Sequence, residues 1–414
     1  MSQVVVVGGG VIGAACAYYL SGDGRKVTVL DRGEFGKGCS HANCGYVSPS
    51  HVLPLATPGA VGKTFAAMFS RNSPFSIKPR LSWSLFSWLW QFARRCNVHD
   101  MMRSATAIQS LLNSSRTLYD GLIREELLEC EWDTHGLLFV FQTTEAMHHY
   151  AQTDHLLREQ FDMPAKRIDG DALSQLEPAL KPGLAGAWHY PSDAHLRPDR
   201  LMSSLRNVLE IRGVEIREHC DVLGVSRSRR TAKALDTTLG PVSGDSFVFA
   251  TGAWTPLLSK HLGCRVPIQP GKGYSITMNR PAICPAYPLI FEEHRVAVTP
   301  MQSGYRIGST MEFAGYDSSL SRERLDLLRD GAAHYLIEPF GDTVQEEWYG
   351  WRPMTVDSKP IIDRSPTYDN VWIAAGHNML GLSMAPGTGK LVAEMMGDRT
   401  PHIDPEPFSA HRFQ

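Results

Sequence analysis

Residues 4–31, VVVVGGGVIGAACAYYLSGDGRKVTVLD, read as a strand, a glycine turn, a helix, a second strand and an acid. Val4–Val7 is a run of β-branched residues, the composition of a buried parallel strand. Gly8, Gly10 and Gly13 supply a G-x-G-x-x-G turn that opens a helix over Val11–Leu20. Gly8 permits the tight turn, Gly10 lets backbone approach a pyrophosphate, and Gly13 lets helix and strand pack closely. Val11 and Ile12 stand at the helix N-terminus, which offers unpaired N–H groups and a positive dipole end to phosphates. The second apolar run, Val27–Leu30, ends in Asp31, placed to accept hydrogen bonds from ribose hydroxyls. Together these predict an adenine dinucleotide site. Arg32 alone leaves a phosphorylated nicotinamide dinucleotide as a competing choice.

At 414 residues the chain is long enough for two domains. Its formal net charge is −2 and no long run carries one sign, so nucleic acid is not an expected partner. No signal peptide is read, because the glycine turn interrupts the first apolar segment and no basic region precedes it. No apolar stretch is long enough to span a bilayer. The eight cysteines are scattered, with no C-x-x-C pair and no zinc spacing. No metal site is expected, and the thiols read as reduced and cytoplasmic. Cys39 and Cys44 are the one conceivable redox pair.

Along the chain, Gly36–Pro58 reads as a loop rich in Gly, Ser, Asn and Pro, and 60–130 as mainly helical. Strands are expected over Gly136–Gln142, Ala187–Tyr190, Val214–Arg217, Phe247–Ala250 and Val371–Ala374. Helices are expected over Thr144–Phe161, Asp171–Leu176, Asp199–Arg212, Ser321–Leu336 and Gly389–Met396. Tyr274–Met278, Arg295–Thr299 and Tyr305–Ser309 alternate like antiparallel strands. The expected architecture is α/β. A discontinuous nucleotide domain (1–50, 145–265 and 340–414) carries an inserted cap domain (51–144 and 266–339). Residues 81–92, LSWSLFSWLWQF, flanked by Arg80, Arg94 and Arg95, read first as an amphipathic helix packed on its own domain, and second as a membrane-surface segment.

Four ordered segments narrow the cofactor: GKGCSHANCG at 36–45, FVFATGAW at 247–254, GWRPMTVDSKPIID at 350–363 and GHNMLGLSMAPGTG at 376–389. With these the chain resembles the D-amino-acid oxidase family of flavoproteins, and within it the bacterial D-amino acid dehydrogenases. The family's Gly-x-x-Ser-x-Ala-Asn-x-Gly loop is matched by Gly38, Ser40, Ala42, Asn43 and Gly45, apart from one residue of spacing. The resemblance implies a Rossmann-like FAD domain of glutathione-reductase type and a substrate domain on an antiparallel sheet.

It also implies that FAD is held by Gly8, Gly10, Val11, Ile12, Gly13, Asp31, Arg32, Cys39, Ser40, Asn43, Cys44, Gly45, Val222, Thr251, Gly252, Trp254, Gly376, Asn378, Gly381, Gly387 and Thr388. Gly387-Thr388-Gly389 is read as a helix start facing the flavin edge on which negative charge accumulates. Arg352 of the Gly-x-Arg-Pro motif is expected to hold a substrate carboxylate through its guanidinium fork. Tyr274, His377 and His51 complete the candidate substrate pocket, with Tyr274 and His377 as further catalytic candidates. Trp348–Trp351 lacks the cysteine through which some relatives attach flavin, and His41 stands one position from where others use a histidine, so FAD is expected to be non-covalent.

The implied reaction is oxidation of a D-amino or D-imino acid, with D-alanine, D-proline and hydroxy-D-proline as candidates. Electrons are expected to pass to a quinone or another electron-transfer partner. Tyr46 and His51 would suit a compact hydroxylated ring. An oxygen-using glycine or sarcosine oxidase is the nearest rival. A flavin-carrying subunit of a larger complex and a non-catalytic dinucleotide sensor are the others. Partner subunit or homo-oligomer, and cytoplasmic or peripheral on the inner membrane, stay open.

Overall fold

The computed structural model describes residues 2–62, 73, 75–78 and 80–413. Part of the helical reading of 60–130 therefore lies outside the described residues. The valine run forms strand Gln3–Val7, inside a six-stranded sheet ordered Ile361–Arg364, Val371–Ala375, Ser246–Phe249, Gln3–Val7, Lys26–Leu30, Glu215–Arg217. All neighbours are parallel except Ile361–Arg364. Because strand side chains alternate, Val4 and Val6 face a layer of helices while Val5 and Val7 face the small sheet Val222–Ser228, Thr231–Thr237, Val242–Ser243.

Close backbone contacts set the helix layer. Gly8 has φ +106°, and a Cβ there would fall 2.5 Å from the Ala250 carbonyl oxygen. A Cβ at Gly13 would fall 1.8 Å from the Gly8 carbonyl oxygen, so helix Val11–Gly22 lies directly on the turn. Helix Gly381–Met396 crosses it just as closely, since a Cβ on Gly389 would sit 2.5 Å from Ala15 backbone. Helix Val98–Glu125 covers the next side, and Ser115 Oγ accepts the Gly387 N–H at 2.9 Å.

The last helix begins eight residues before the expected Gly389. Gly387-Thr388-Gly389 therefore lies within the helix, where its small residues admit neighbouring helices, and does not open it. Pro386 is also inside. Proline cannot donate to the carbonyl four residues back, which frees the Leu382 oxygen. Buried Tyr119 fills that gap, its hydroxyl donating to Leu382 at 2.8 Å.

The second sheet runs Val344–Thr355, Ile268–Met278, Gly304–Phe313, Val296–Met301, Leu289–Phe291, Leu137–Phe141, Gly186–Tyr190, Lys166–Asp169, with Phe75–Ile77 added beside Gly304–Phe313. The three alternating segments at 274–309 are in it and antiparallel. Segments 145–265 and 340–414 each supply strands to both sheets, and helix Val98–Glu125 packs on the nucleotide side. The chain thus crosses between the two units more often than the boundaries drawn from sequence imply. Helix Trp83–Arg95 packs Leu85 and Trp88 on Met311, Phe313, Met354 and Val356.

Replacing Tyr119 by Phe keeps the packing and leaves the Leu382 carbonyl without its donor. A loss of about 1–3 kcal/mol is expected in denaturant unfolding; an unchanged midpoint would show that this bond contributes nothing.

Candidate active site

The glycine turn, Asp31 and the loop after it, Thr251–Trp254 and the N-terminus of helix Gly381–Met396 enclose one cavity of about 630 Å³. Of the predicted cofactor residues, Gly8, Gly10, Val11, Ile12, Asp31, Arg32, Cys39, Ser40, Asn43, Val222, Thr251, Gly252, Trp254, Asn378 and Gly381 line it, as do Arg352 and His377. The Asp31 carboxylate accepts from Gly9 N–H at 2.6 Å and Gly33 N–H at 2.7 Å. Those bonds fix its direction and leave lone pairs for a ribose. Burial raises its pKa against the pull of these N–H groups. Ser40 Oγ accepts the Val11 N–H at 2.9 Å, so its hydroxyl proton remains to be donated. Arg32 lies 5.4 Å from the Trp254 ring centre.

Loop 40–45 is held from both ends. Asn43 bonds its own loop, accepting Gly45 N–H at 2.8 Å and donating to Ser40 O at 3.1 Å. From the second sheet, Ser275 Oγ donates to Ala42 O at 2.7 Å, Thr299 Oγ1 to Cys44 O at 2.6 Å and Arg306 Nη1 to Asn43 O at 2.8 Å. Arg306 is fully buried, and its role was invisible in sequence because nothing local marks it. Asn378, at φ +53°, joins the other side: its amide accepts from Thr355 N–H at 2.9 Å and donates to Gly376 O at 2.9 Å.

Arg352 occupies the wall where these parts meet. Its strand alternates against Ile268–Met278, with Gly271 opposite Arg352 and Gly273 opposite Gly350. The guanidinium lies over Gly273, where a Cβ would come within 2.4 Å of Cζ. Nη1 donates to Thr310 O at 2.6 Å and Nη2 reaches Ser309 O at 3.5 Å. Both carbonyls are turned by a bulge opposite Gly273, with φ +119° at Ser309 and +50° at Thr310. Among the described residues no carboxylate pairs with Arg352. Burial pulls its pKa below the ordinary arginine value, against the opposing effect of the Cys39 and Cys44 thiols. The wall thus carries a cation that no internal acid compensates, and a buried charge without a partner is costly.

Other predicted residues lie elsewhere. Tyr274 follows Gly273, so strand alternation turns it away into the core, where its hydroxyl donates to Glu312 at 2.8 Å. His51 does not reach the wall; it sits beside Phe139 and Ser50, and burial lowers its pKa to about 4. Gly13, Gly45, Gly376 and Gly387 serve close packing, and Thr388 Oγ1 lies 3.0 Å from His377 Nε2. His377 is buried, its pKa pushed down to about 3, and it stays neutral at ordinary pH. Cys44 packs against Gly308, and both it and Cys39 have raised pKa values as free thiols. His41 Nε2 is engaged by Glu346 at 2.9 Å and is off the wall. Trp351, which the sequence reading did not single out, lines the cavity with its indole N–H unpartnered.

Residues 3–395 match the family model DAO, FAD dependent oxidoreductase. The chain belongs to this family. Relatives include D-amino acid dehydrogenases of Granulibacter bethesdensis, 32% identical over 99% of both chains, and of Methylobacterium nodulans, 33% identical over 99% of both. Solved structures of the same fold include glycine oxidase from Geobacillus kaustophilus, with TM-score 0.79, 23% identity and 99% of each chain covered. L-proline dehydrogenase from P. horikoshii has TM-score 0.74 and 20% identity, covering 100% of this chain and 97% of that one.

This DAO-family protein is an FAD-dependent oxidoreductase, and its residues fit the cofactor. The cavity size is in the range of ligand sites. Two helix N-termini, at Val11 and Gly381, and the Asp31 carboxylate face it. No described helix is long and apolar enough to cross a membrane, and no described cluster of His, Cys, Asp or Glu has the makings of a metal site.

Behind the wall, fully buried Asp193 accepts from Ser50 N–H at 3.0 Å and Ser50 Oγ at 2.6 Å, and burial raises its pKa to about 7. The folded state keeps this proton while the unfolded state releases it, so ionisation of Asp193 lowers stability as pH rises from about 4 to 7. In thermal unfolding across that window, Asp193→Asn should decline less than the parent. Parallel profiles would show that Asp193 does not titrate there.

Proposed function

We propose that this flavoenzyme oxidises the Cα–N bond of a D-amino or D-imino acid, and that Arg352 binds the substrate carboxylate. The observation that carries this is the unpaired guanidinium on the wall of the cofactor cavity, held by the carbonyls of Ser309 and Thr310. The D configuration is supported by the curated relatives named D-amino acid dehydrogenase.

FAD would be held without a covalent bond by the residues lining the cavity, among them Asp31, Ser40 and the helix N-termini at Val11 and Gly381, and would supply two-electron, hydride-accepting chemistry. Arg352 fixes the carboxylate by two parallel hydrogen bonds and so aims the Cα–H, and positioning supplies much of the rate. The amine enters neutral; loss of a hydride from Cα leaves an iminium ion, which gives its proton to water and becomes the imine. Water converts an acyclic imine to a 2-oxo acid and ammonia, while a ring substrate yields a cyclic imine. His377, neutral and bonded to Thr388, shapes the wall and carries no positive charge at working pH.

D-alanine-like acids and D-proline or cis-4-hydroxy-D-proline both carry the required carboxylate. Tyr46 directs its hydroxyl to the carbonyls of Leu289 and Val298 and His51 lies off the wall, so neither favours the ring. The acceptor is a quinone or another non-oxygen partner.

Anaerobic addition of D-alanine, D-proline or cis-4-hydroxy-D-proline to the yellow holoprotein should bleach the flavin, and the L-enantiomers should not. Bleaching by L-acids or by sarcosine alone would reject the D-specific reading. Arg352→Lys should lower kcat/KM by about a hundredfold or more with flavin content unchanged. Gly273→Ala, which presses on the guanidinium, should raise KM by about tenfold or more while kcat falls less. Normal kinetics in the arginine variant would remove it from substrate binding.

A further inference from the structure

Helix Trp83–Arg95 has one face in the core and one in the open. Leu85 and Trp88 are buried, and Trp88 Nε1 donates to Met354 O at 2.9 Å. On the other side Trp83 is 91% exposed, Phe86 71% and Trp90 59%, with Leu81 fully exposed just before the helix. Single exposed apolar residues are ordinary, but four large ones within ten positions are not.

The segment that carries this face has charges of one sign. From Phe35 to His99 the chain has no Asp or Glu and seven Lys or Arg, although the whole chain has net charge −2. Arg80, Arg94 and Arg95 bracket the aromatic face, and none of them makes an ion pair among the described residues. Arg94 stacks on Trp90 at 4.8 Å, Arg95 donates to Gln91 O at 3.1 Å and Arg80 points toward Gln269 at 3.4 Å. Contact between two copies through this face would bring the same cations together and is disfavoured. Tryptophan and phenylalanine with arginine at both ends match the boundary between acyl chains and anionic headgroups.

We infer that the exposed face of helix Trp83–Arg95 docks this protein on the surface of a bilayer containing anionic phospholipid. Trp83, Phe86 and Trp90 enter the headgroup boundary, and Arg80, Arg94 and Arg95 meet the phosphates. The helix lies on the surface and does not cross it. The buried face of the same helix rests on Met354, two residues from Arg352, and Arg80 lies against Gly315, next to Tyr316, whose ring is 6.3 Å from Trp351 on the cavity wall. Docking therefore sets a wall of the cofactor cavity close to the lipid. Delivery of electrons to a lipid-soluble acceptor there rests on the reaction proposed above; the docking itself does not.

The test is sedimentation of the full-length holoprotein with phosphatidylglycerol/phosphatidylcholine vesicles and with pure phosphatidylcholine vesicles. Binding to the anionic vesicles, weakened by salt, and little binding to the neutral ones are expected. The variant W83S/F86S/W90S should bind about tenfold or more weakly while keeping its flavin spectrum. R94Q/R95Q, which leaves the aromatic face intact, should lose the preference for anionic lipid. No sedimentation with anionic vesicles, or equal binding by the parent and both variants, overturns the proposal. So does a parent dimer that the triple serine variant turns into a monomer, since that makes a second copy the occupant. Flavin bleaching by substrate is scored separately, so failure of docking leaves the catalytic reading standing, and the reverse.

Discussion

The hydrogen bonds from Ser275, Thr299 and Arg306 to the carbonyls of residues 42–44 join the nucleotide unit to the second sheet. One loop thereby joins both walls of the cavity: Ser40 Oγ accepts from Val11 N–H at the start of the glycine-turn helix, and Ser275, which holds Ala42 O, lies on the strand paired with the one that carries Arg352. Arg306 is buried to do this, with Asp199 3.7 Å away as its nearest carboxylate. A buried cation is expensive unless its hydrogen bonds are satisfied, and two carbonyl or hydroxyl acceptors lie within 2.9 Å of it. Its placement makes the loop's geometry a property of the whole molecule.

Arg352 obeys the opposite rule. Every other feature of its surroundings denies it a carboxylate: glycine beneath, carbonyls beside, thiols nearby. An internal acid would neutralise it and compete with a substrate. The strained pair Ser309 and Thr310 provides acceptors without charge, which orients the fork and leaves the positive charge uncompensated.

The nucleotide unit was legible because its signals are local: β-branched run, glycine spacing and terminal acid lie within 28 residues, and each has a fixed physical use. The alternating strands at 274–309 were legible for the same reason. The start of the last helix was not, because glycine and proline near Gly387 imitate a helix opening, and only Tyr119 and Ser115, far away in sequence, show that the helix passes through them. Tyr274 was misplaced by a single residue of strand register. Strand alternation turns Gly273 toward the Arg352 guanidinium and Tyr274 toward the core, and motif position does not contain that phase. Strand Val344–Thr355 escaped notice because its aromatic and proline residues hide the period of two.

The order of strands has a consequence for how the protein is made. The glycine turn is translated long before most of its partners: its strand lies between Lys26–Leu30 and Ser246–Phe249, and its helix is covered by Gly381–Met396. An early valine strand without those neighbours exposes an edge and an apolar face. The cofactor wall, assembled from residues as distant as Gly8 and Leu382, cannot close until Leu382 has been translated. Until then the glycine-turn unit presents apolar surface of the kind that chaperones cover, and cofactor loading awaits translation of helix Gly381–Met396.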